Sequence, residues 1–331
     1  MNKGISLTGI KPTGTPHIGN YFGAIKPAIK LTKDYDARYF IADYHALNST
    51  KDPKKIKKMT YEVAATWLAC GLEPDKALVY KQSQVAETFE LSTILLAFTA
   101  KGLMNRAHAY KALVQKNSDL KRDIDDGVNM GLFTYPVLMA ADILLFDSDV
   151  VPVGKDQAQH LEMTIDIAQS LNHIYNKDIL TIPKPLIRKK TQNVTGLDGR
   201  KMSKSYNNTI PLFLPPKKLR KLIMKIVTNS QSIEEVKSPD DCNVFKLYKL
   251  FASEQQQEKL REKYLAGGMG WGHAKQELFE IMNETVEPMR EKYNILIENK
   301  KYIDDILETG SNKAREIAAK KMEYIKKNLG F

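Results

Sequence analysis

Hydrophobic and polar positions divide this chain into a front part where strands alternate with helices and a rear part that reads as helix alone. Ile5–Ile10 is a short apolar run with strand character, and the Lys11–Thr15 turn leads into a helix expected to begin at Pro16. Ala37–Ala42 and Ala77–Tyr80 are two further buried-looking strands, separated by the helical stretch Pro53–Ala69. A long helical region is expected from about Ala86 to Lys121, followed by a helix at Pro136–Leu145, a strand at Val150–Val153 and a helix at Asp156–Ser170. Residues 188–209, rich in Lys, Gly, Asn and Ser, read as a loop, and the sheet should close with a strand near Thr209–Pro211 or just before that loop.

Strands alternating with helices imply a parallel sheet with right-handed crossovers. After Pro211 the pattern changes: Pro215-Pro216 breaks the chain, and the remaining residues have almost no strand signal. The expected fold is therefore α/β, a doubly wound parallel sheet over residues 1–211 with a helical insertion at about 86–130, then an all-α domain over 212–331.

Composition narrows the class. Across 331 residues, 43% are hydrophobic and 27% charged, which excludes fibrous, collagen-like and disordered chains. The net charge of +11 favours polyanionic partners; it is spread along the chain and gathers at Lys51–Lys58, Arg188–Lys204 and Lys217–Lys225. Cys70 and Cys242 lie far apart without metal-ligand spacing, and the N-terminus has neither an apolar signal core nor an Arg-rich transit segment. Val137–Phe146 is too short to span a bilayer and contains Asp142, so the expectation is a cytoplasmic protein with no membrane partner.

Three segments carry candidate chemistry. In Lys11-Pro-Thr-Gly-Thr-Pro-His-Ile-Gly-Asn20, Thr15 suits an N-cap and Pro16 the first helical position. His17 and Asn20 would then share the first turn, while Gly14 and Gly19 clear space for a group approaching the backbone. A helix start at the carboxyl end of the first strand favours phosphate, although a capped turn with a surface histidine has the same local pattern. In Gly196-Leu-Asp-Gly-Arg-Lys-Met-Ser-Lys-Ser205, Lys201 and Lys204 can face a pyrophosphate, with Ser203, Ser205 and backbone N–H groups as donors. Taken alone, that segment is also compatible with an exposed linker. On a helix near Pro136, Tyr135, Met139 and Asp142 fall at i, i+4 and i+7, close to one face. A fixed carboxylate among apolar residues suits an indole N–H, a donor without acceptor function; a helix aspartate paired to a nearby lysine is the plainer alternative.

The first segment resembles the His-Ile-Gly-His motif of class I aminoacyl-tRNA synthetases, with Asn20 in the last position, and Lys201-Met-Ser-Lys-Ser205 is similar to that family's lysine loop without a change. The run from Gly131 through Val151-Pro-Val-Gly-Lys-Asp-Gln-Ala-Gln-His160 resembles the tryptophanyl branch. This resemblance implies a Rossmann-like catalytic domain and a two-step reaction. L-Tryptophan and ATP, carried with Mg2+, give the adenylate and pyrophosphate, and the acyl group passes to tRNA(Trp). It implies catalytic roles for His17, Asn20, Lys201 and Lys204. The ATP site would comprise Lys11, Thr13, Gly19, Asn20, Gly154, Asp156, Lys201, Met202, Ser203 and Lys204, with Asp156 accepting from the ribose. The tryptophan site would comprise Leu7, His45, Tyr135, Met139, Asp142, Val151, Val153 and Gln157.

Since the substrate carboxylate is itself the nucleophile, no catalytic triad is required. Asp156 and His160 lack a third ligand for a metal site. The resemblance also implies a homodimer and an anticodon-reading role for the rear helices. Lys11, Leu7 and Lys155 depart from common family members, and Lys111 and Lys116 are both candidates for a further phosphate-facing lysine. A tyrosine-activating relative, a nucleotidyltransferase acting on a small metabolite, and an RNA-binding paralogue without catalysis are the rival readings.

Overall fold

The computed structural model describes residues 3–154, 157–187 and 194–331. Its centre is a five-stranded parallel sheet in the order β3-β2-β1-β4-β5. The strands are β1 (Ile5–Ile10), β2 (Asp36–Ile41), β3 (Leu78–Lys81), β4 (Val150–Val153) and β5 (Lys184–Ile187). The closing strand thus precedes the lysine-rich loop, while Pro211 makes a single antiparallel bridge to His17. The chain winds from β1 to β2 and β3 on one side, then places β4 on the other side of β1. β1 and β4 share one registered pair, Ser6↔Val150, and beyond it a crevice opens at the topological switch point.

The first helical segment starts later than its sequence suggests. α1 (Ile18–Asn20) runs through a π-helical turn (Tyr21–Ile25) into α2 (Lys26–Lys30). Neither Thr15 nor Pro16 opens it: His17 is the N-cap, with extended φ −119 and ψ 168. The cause is backbone pairing, Ile18 N–H to Ile210 O at 2.9 Å and Leu212 N–H to Pro16 O at 2.9 Å, which holds Pro16 and His17 extended. α3 (Pro53–Ala69) is capped by Asp52, whose carboxylate accepts from the N–H groups of Lys54 and Lys55 at 2.9 and 3.2 Å.

The expected helical region from about Ala86 to Lys121 holds three helices: α4 (Glu87–Leu96), α5 (Lys101–Met104) and α6 (His108–Asp119). Met104 and Ala107 are drawn into the core at 3% and 0% exposure, and this folds the chain back at positions with no proline to announce it. α7 (Met130–Leu144) begins six residues before Pro136, because Asn129 caps it by accepting from Leu132 N–H at 2.9 Å. α8 is Ala158–Ile174, and Asp156, expected to start it, lies outside the described residues.

The rear helices are α9 (Pro216–Ile223), α10 (Asn243–Tyr248), α11 (Glu254–Ala266), α12 (Trp271–Glu298) and α13 (Lys300–Leu329). Their apolar faces join the front of the chain. Ile18, Tyr21, Ile25 and Met202 share one buried cluster with Phe245, Leu278 and Met282. α13 returns to cover the edge strand β3, so tightly that a Cβ at Gly310 would sit 1.8 Å from Val79 O. Among the described residues no helix is long and apolar enough to cross a membrane.

Candidate active site

The pairing of Pro16–Ile18 with Ile210–Leu212 brings the two lysine- and glycine-bearing segments to one corner of the sheet. Here His17 and Asn20 cap each other: Asn20 N–H donates to His17 Nδ1 at 3.3 Å, and His17 N–H donates to Asn20 Oδ1 at 3.0 Å. Burial, helped by the Lys204 ammonium, lowers the His17 pKa to about 4, so the ring is neutral at pH 7. With Nδ1 occupied as an acceptor, the ring proton resides on Nε2, which makes that atom a donor. Gly19 leaves room for the His17 ring, since a Cβ would stand 3.0 Å from it and the ring would have to give by a few tenths of an ångström. Met202 itself is 5% exposed and packs in the core beside Ile18, anchoring the lysine loop.

Lys204 reaches across to the turn, its Nζ donating to Thr13 O at 2.8 Å, next to Gly14 at φ +93. Withdrawal of the ammonium against the turn lowers its pKa, and burial lowers that of Lys11 in the same region. Lys201 is exposed, and the hydroxyls of Ser203 and Ser205 lie 2.8 Å apart. The loop is shaped by a residue that sequence reasoning missed. Asn208, 2% exposed, accepts from Ser203 N–H at 2.8 Å and donates to Asp198 at 2.7 Å and to Lys201 O at 3.2 Å. Its bond to Asp198 is the main reason that this carboxyl titrates below its ordinary range.

Beside this corner a cavity of about 700 Å³ fills the crevice between β1 and β4. Leu7, His45, Tyr135, Met139, Asp142, Val151, Val153 and Gln157 all line it, together with Lys11 and Gly154. β1 enters closely because Gly9 has no side chain; a Cβ there would meet the Phe40 ring at 2.5 Å. Asp142 is 2% exposed, and burial raises its pKa, opposed by hydrogen bonds from His45 and Gln82. His45 Nε2 lies 3.0 Å from Asp142 Oδ2, and Gln82 Nε2 lies 2.9 and 3.0 Å from the two carboxylate oxygens.

A second chain of contacts runs from Tyr135 O–H to His160 Nε2, and from His160 Nδ1 to Gln157 Oε1 at 3.0 Å. It turns the Gln157 oxygen towards the histidine, which leaves its NH2 as the other polar group of that side chain. Tyr135 has its pKa raised to about 12 by burial, so it stays a neutral donor. Gln82 and His160 were not among the expected binding residues. His160 was visible as a neighbour of the substrate motif, whereas nothing near Gln82 in sequence marks it. Thr13, Gly19, Asn20, Lys201, Met202, Ser203 and Lys204 lie at the corner outside the lining of this cavity; Asp156 and Lys155 fall outside the described residues. Among the described residues no group of three or more His, Cys, Asp or Glu is placed to hold a metal ion.

The chain is similar to known proteins over most of its length. The family model of class I tRNA synthetases for tryptophan and tyrosine matches residues 2–287. A tryptophan–tRNA ligase of Pseudomonas putida is 49% identical over 98% of this chain and 73% of its own length. Among solved structures, the tryptophanyl-tRNA synthetase of Campylobacter jejuni complexed with ADP and tryptophan superposes with a TM-score of 0.91 at 45% identity, covering 99% of this chain and 100% of that one. The Mycoplasma pneumoniae tryptophanyl-tRNA synthetase superposes with a TM-score of 0.81 at 29% identity, covering 100% of this chain and 98% of that one.

Proposed function

The chain belongs to the class I tRNA synthetases for tryptophan and tyrosine, and from that premise we propose how its residues divide the work of the reaction. It is a ligase that activates tryptophan with ATP and charges the cognate tRNA. The amino-acid carboxylate attacks the α-phosphate, so the protein's task is to align the two and to stabilise the charge moving onto pyrophosphate. Neutral His17 donates from Nε2, and Lys201 and Lys204 supply fixed positive charge. Asn20, Gly19, Thr13, Lys11 and the Met202–Ser203 backbone shape the nucleotide seat. Gly154 and Asp156 serve the ribose side.

In the cavity, Asp142 accepts from the indole N–H, Met139, Val151, Val153 and Leu7 form the apolar walls, and Tyr135, His45 and Gln157 handle polar atoms. The observation that supports this division best is the burial of Asp142 at 2% exposure, in the wall of a cavity that also reaches Lys11 beside the phosphate corner. ATP arrives with Mg2+ in this scheme. Residues 1–211 activate, and 212–331 read tRNA, with exposed Lys217, Lys218, Arg220 and Lys221 on α9 suited to its backbone. The working form is a cytoplasmic homodimer. Exchange of pyrophosphate into ATP, tested with each standard amino acid, checks the substrate: tryptophan alone should support it. Exchange with tyrosine instead would overturn the role given to Asp142.

A further inference from the structure

Gln82 opens a short 3-10 turn, Gln82–Gln84, directly after β3, and its side chain is fully buried at 0% exposure. Its two ends are not interchangeable. Oε1 lies 3.2 Å from Tyr44 N–H, a group that can only donate, so the amide oxygen must face Tyr44 and the NH2 must face Asp142. That NH2 touches both carboxylate oxygens, while His45 meets Oδ2 from the other side. The turn is itself braced by α13: Ser311 Oγ donates to Gln84 Oε1 at 2.8 Å and accepts from Lys81 N–H at 3.4 Å.

We propose that Gln82 is a positioning residue that sets amino-acid specificity, by holding Asp142 as a fixed acceptor aimed into the cavity. The inference rests on the reading of Asp142 given above. An ionised carboxylate accepts strongly from an indole N–H and gains nothing from a ring that lacks that hydrogen. A carboxyl free to take a proton would accept more weakly, and the discrimination would weaken. Burial pushes Asp142 towards that protonated form, and Asp43 adds to the push; His45 and Gln82 oppose it. Tyr80 from β3 also faces it, and Tyr135 lines the same cavity from two turns earlier on α7.

The test compares Gln82→Met, which keeps the volume and removes the donor, with Gln82→Glu, which keeps the shape. Activation is followed by pyrophosphate exchange with tryptophan and with its benzothienyl analogue, where sulfur replaces the indole N–H. For both variants the KM for tryptophan should rise about 10- to 100-fold with kcat nearly kept, as befits a lost hydrogen bond to a charged group. The analogue should change less than about threefold, which also shows that the variants are folded. The acid-side rise of the tryptophan KM should move to higher pH in Gln82→Met. Equal losses for both substrates, or no loss for either, would overturn the role of Gln82. Asp142→Ala separates the two layers: if it leaves the ratio of tryptophan to analogue unchanged, the Asp142 reading itself fails. If it collapses the ratio while Gln82→Met does not, only the role of Gln82 fails.

Discussion

Replacing Asn208 with alanine should disable the lysine loop without touching a lysine. The side chain makes three hydrogen bonds within the loop, to Ser203 N–H, Lys201 O and the Asp198 carboxylate. The two neutral bonds are each worth about 1 kcal/mol, and the charge-assisted one about 1.5–3 kcal/mol. Lys201, Lys204 and Ser205 are exposed, so water replaces part of what is lost. A net penalty of about 2–3 kcal/mol on the competent loop corresponds to roughly a 30- to 150-fold fall in kcat/KM for ATP. Gly196→Ala should displace the same residue, since its Cβ would stand 2.3 Å from Asn208 Nδ2 and 2.7 Å from Asn208 O. The double variant should then be little worse than the worse single one. Pyrophosphate exchange at saturating tryptophan measures all three. A loss below about threefold for Asn208→Ala, or losses that multiply in the double variant, would refute this account of the loop.

Lys204→Ala should slow activation by about 10²–10³-fold if its charge meets the departing pyrophosphate, read as kcat in the same exchange assay. His17 predicts an acid-side loss of stability: its pKa is about 4 when folded against an ordinary 6.5, so between those values the unfolded chain binds a proton that the folded one refuses. The thermal midpoint should therefore fall as pH drops through that window and level off below it, and His17→Gln should flatten the slope. Gly310→Ala should destabilise the whole chain by about 1–3 kcal/mol or more, because α13 must lift from Val79 O; chemical denaturation would show it as a lower midpoint.

What the sequence made legible was local. β1 and β4 fall where short apolar runs placed them, and α3 begins at the proline its pattern proposed. The eight residues expected in the tryptophan site meet in one cavity: Leu7, Val151 and Val153 lie on β1 and β4, Tyr135, Met139 and Asp142 on α7, where periodicity fixes direction, and His45 and Gln157 on the segments that follow β2 and β4. What was hidden depends on distant partners. The start of α1 is set by pairing with residues 210–212, almost two hundred positions away, and a good cap sequence at Thr15 loses to it. Gln82 carries no motif of its own; its meaning comes from Tyr44 on one side and Asp142 on the other. Asn208 was likewise inconspicuous, lying in the loop just past the lysine motif that ends at Ser205.

The corner that joins the two lysine segments also explains why they need so few special residues. Lys204 is held against a carbonyl, Thr13 O, which supplies a partial negative charge but no full countercharge. Burial destabilises its ammonium there, as it does that of Lys11, while Glu62 is the carboxylate that offsets the effect at Lys204. A polyphosphate seated between them would answer this incomplete pairing directly, and its own charge grows on the pyrophosphate side as the α-phosphate bond breaks. His17, kept neutral, adds a donor without adding a further cation to the corner. With the lysines in the roles proposed above, the binding strength of the site would rise along the reaction coordinate, since each fixed cation would interact more favourably with the departing group than with the intact nucleotide.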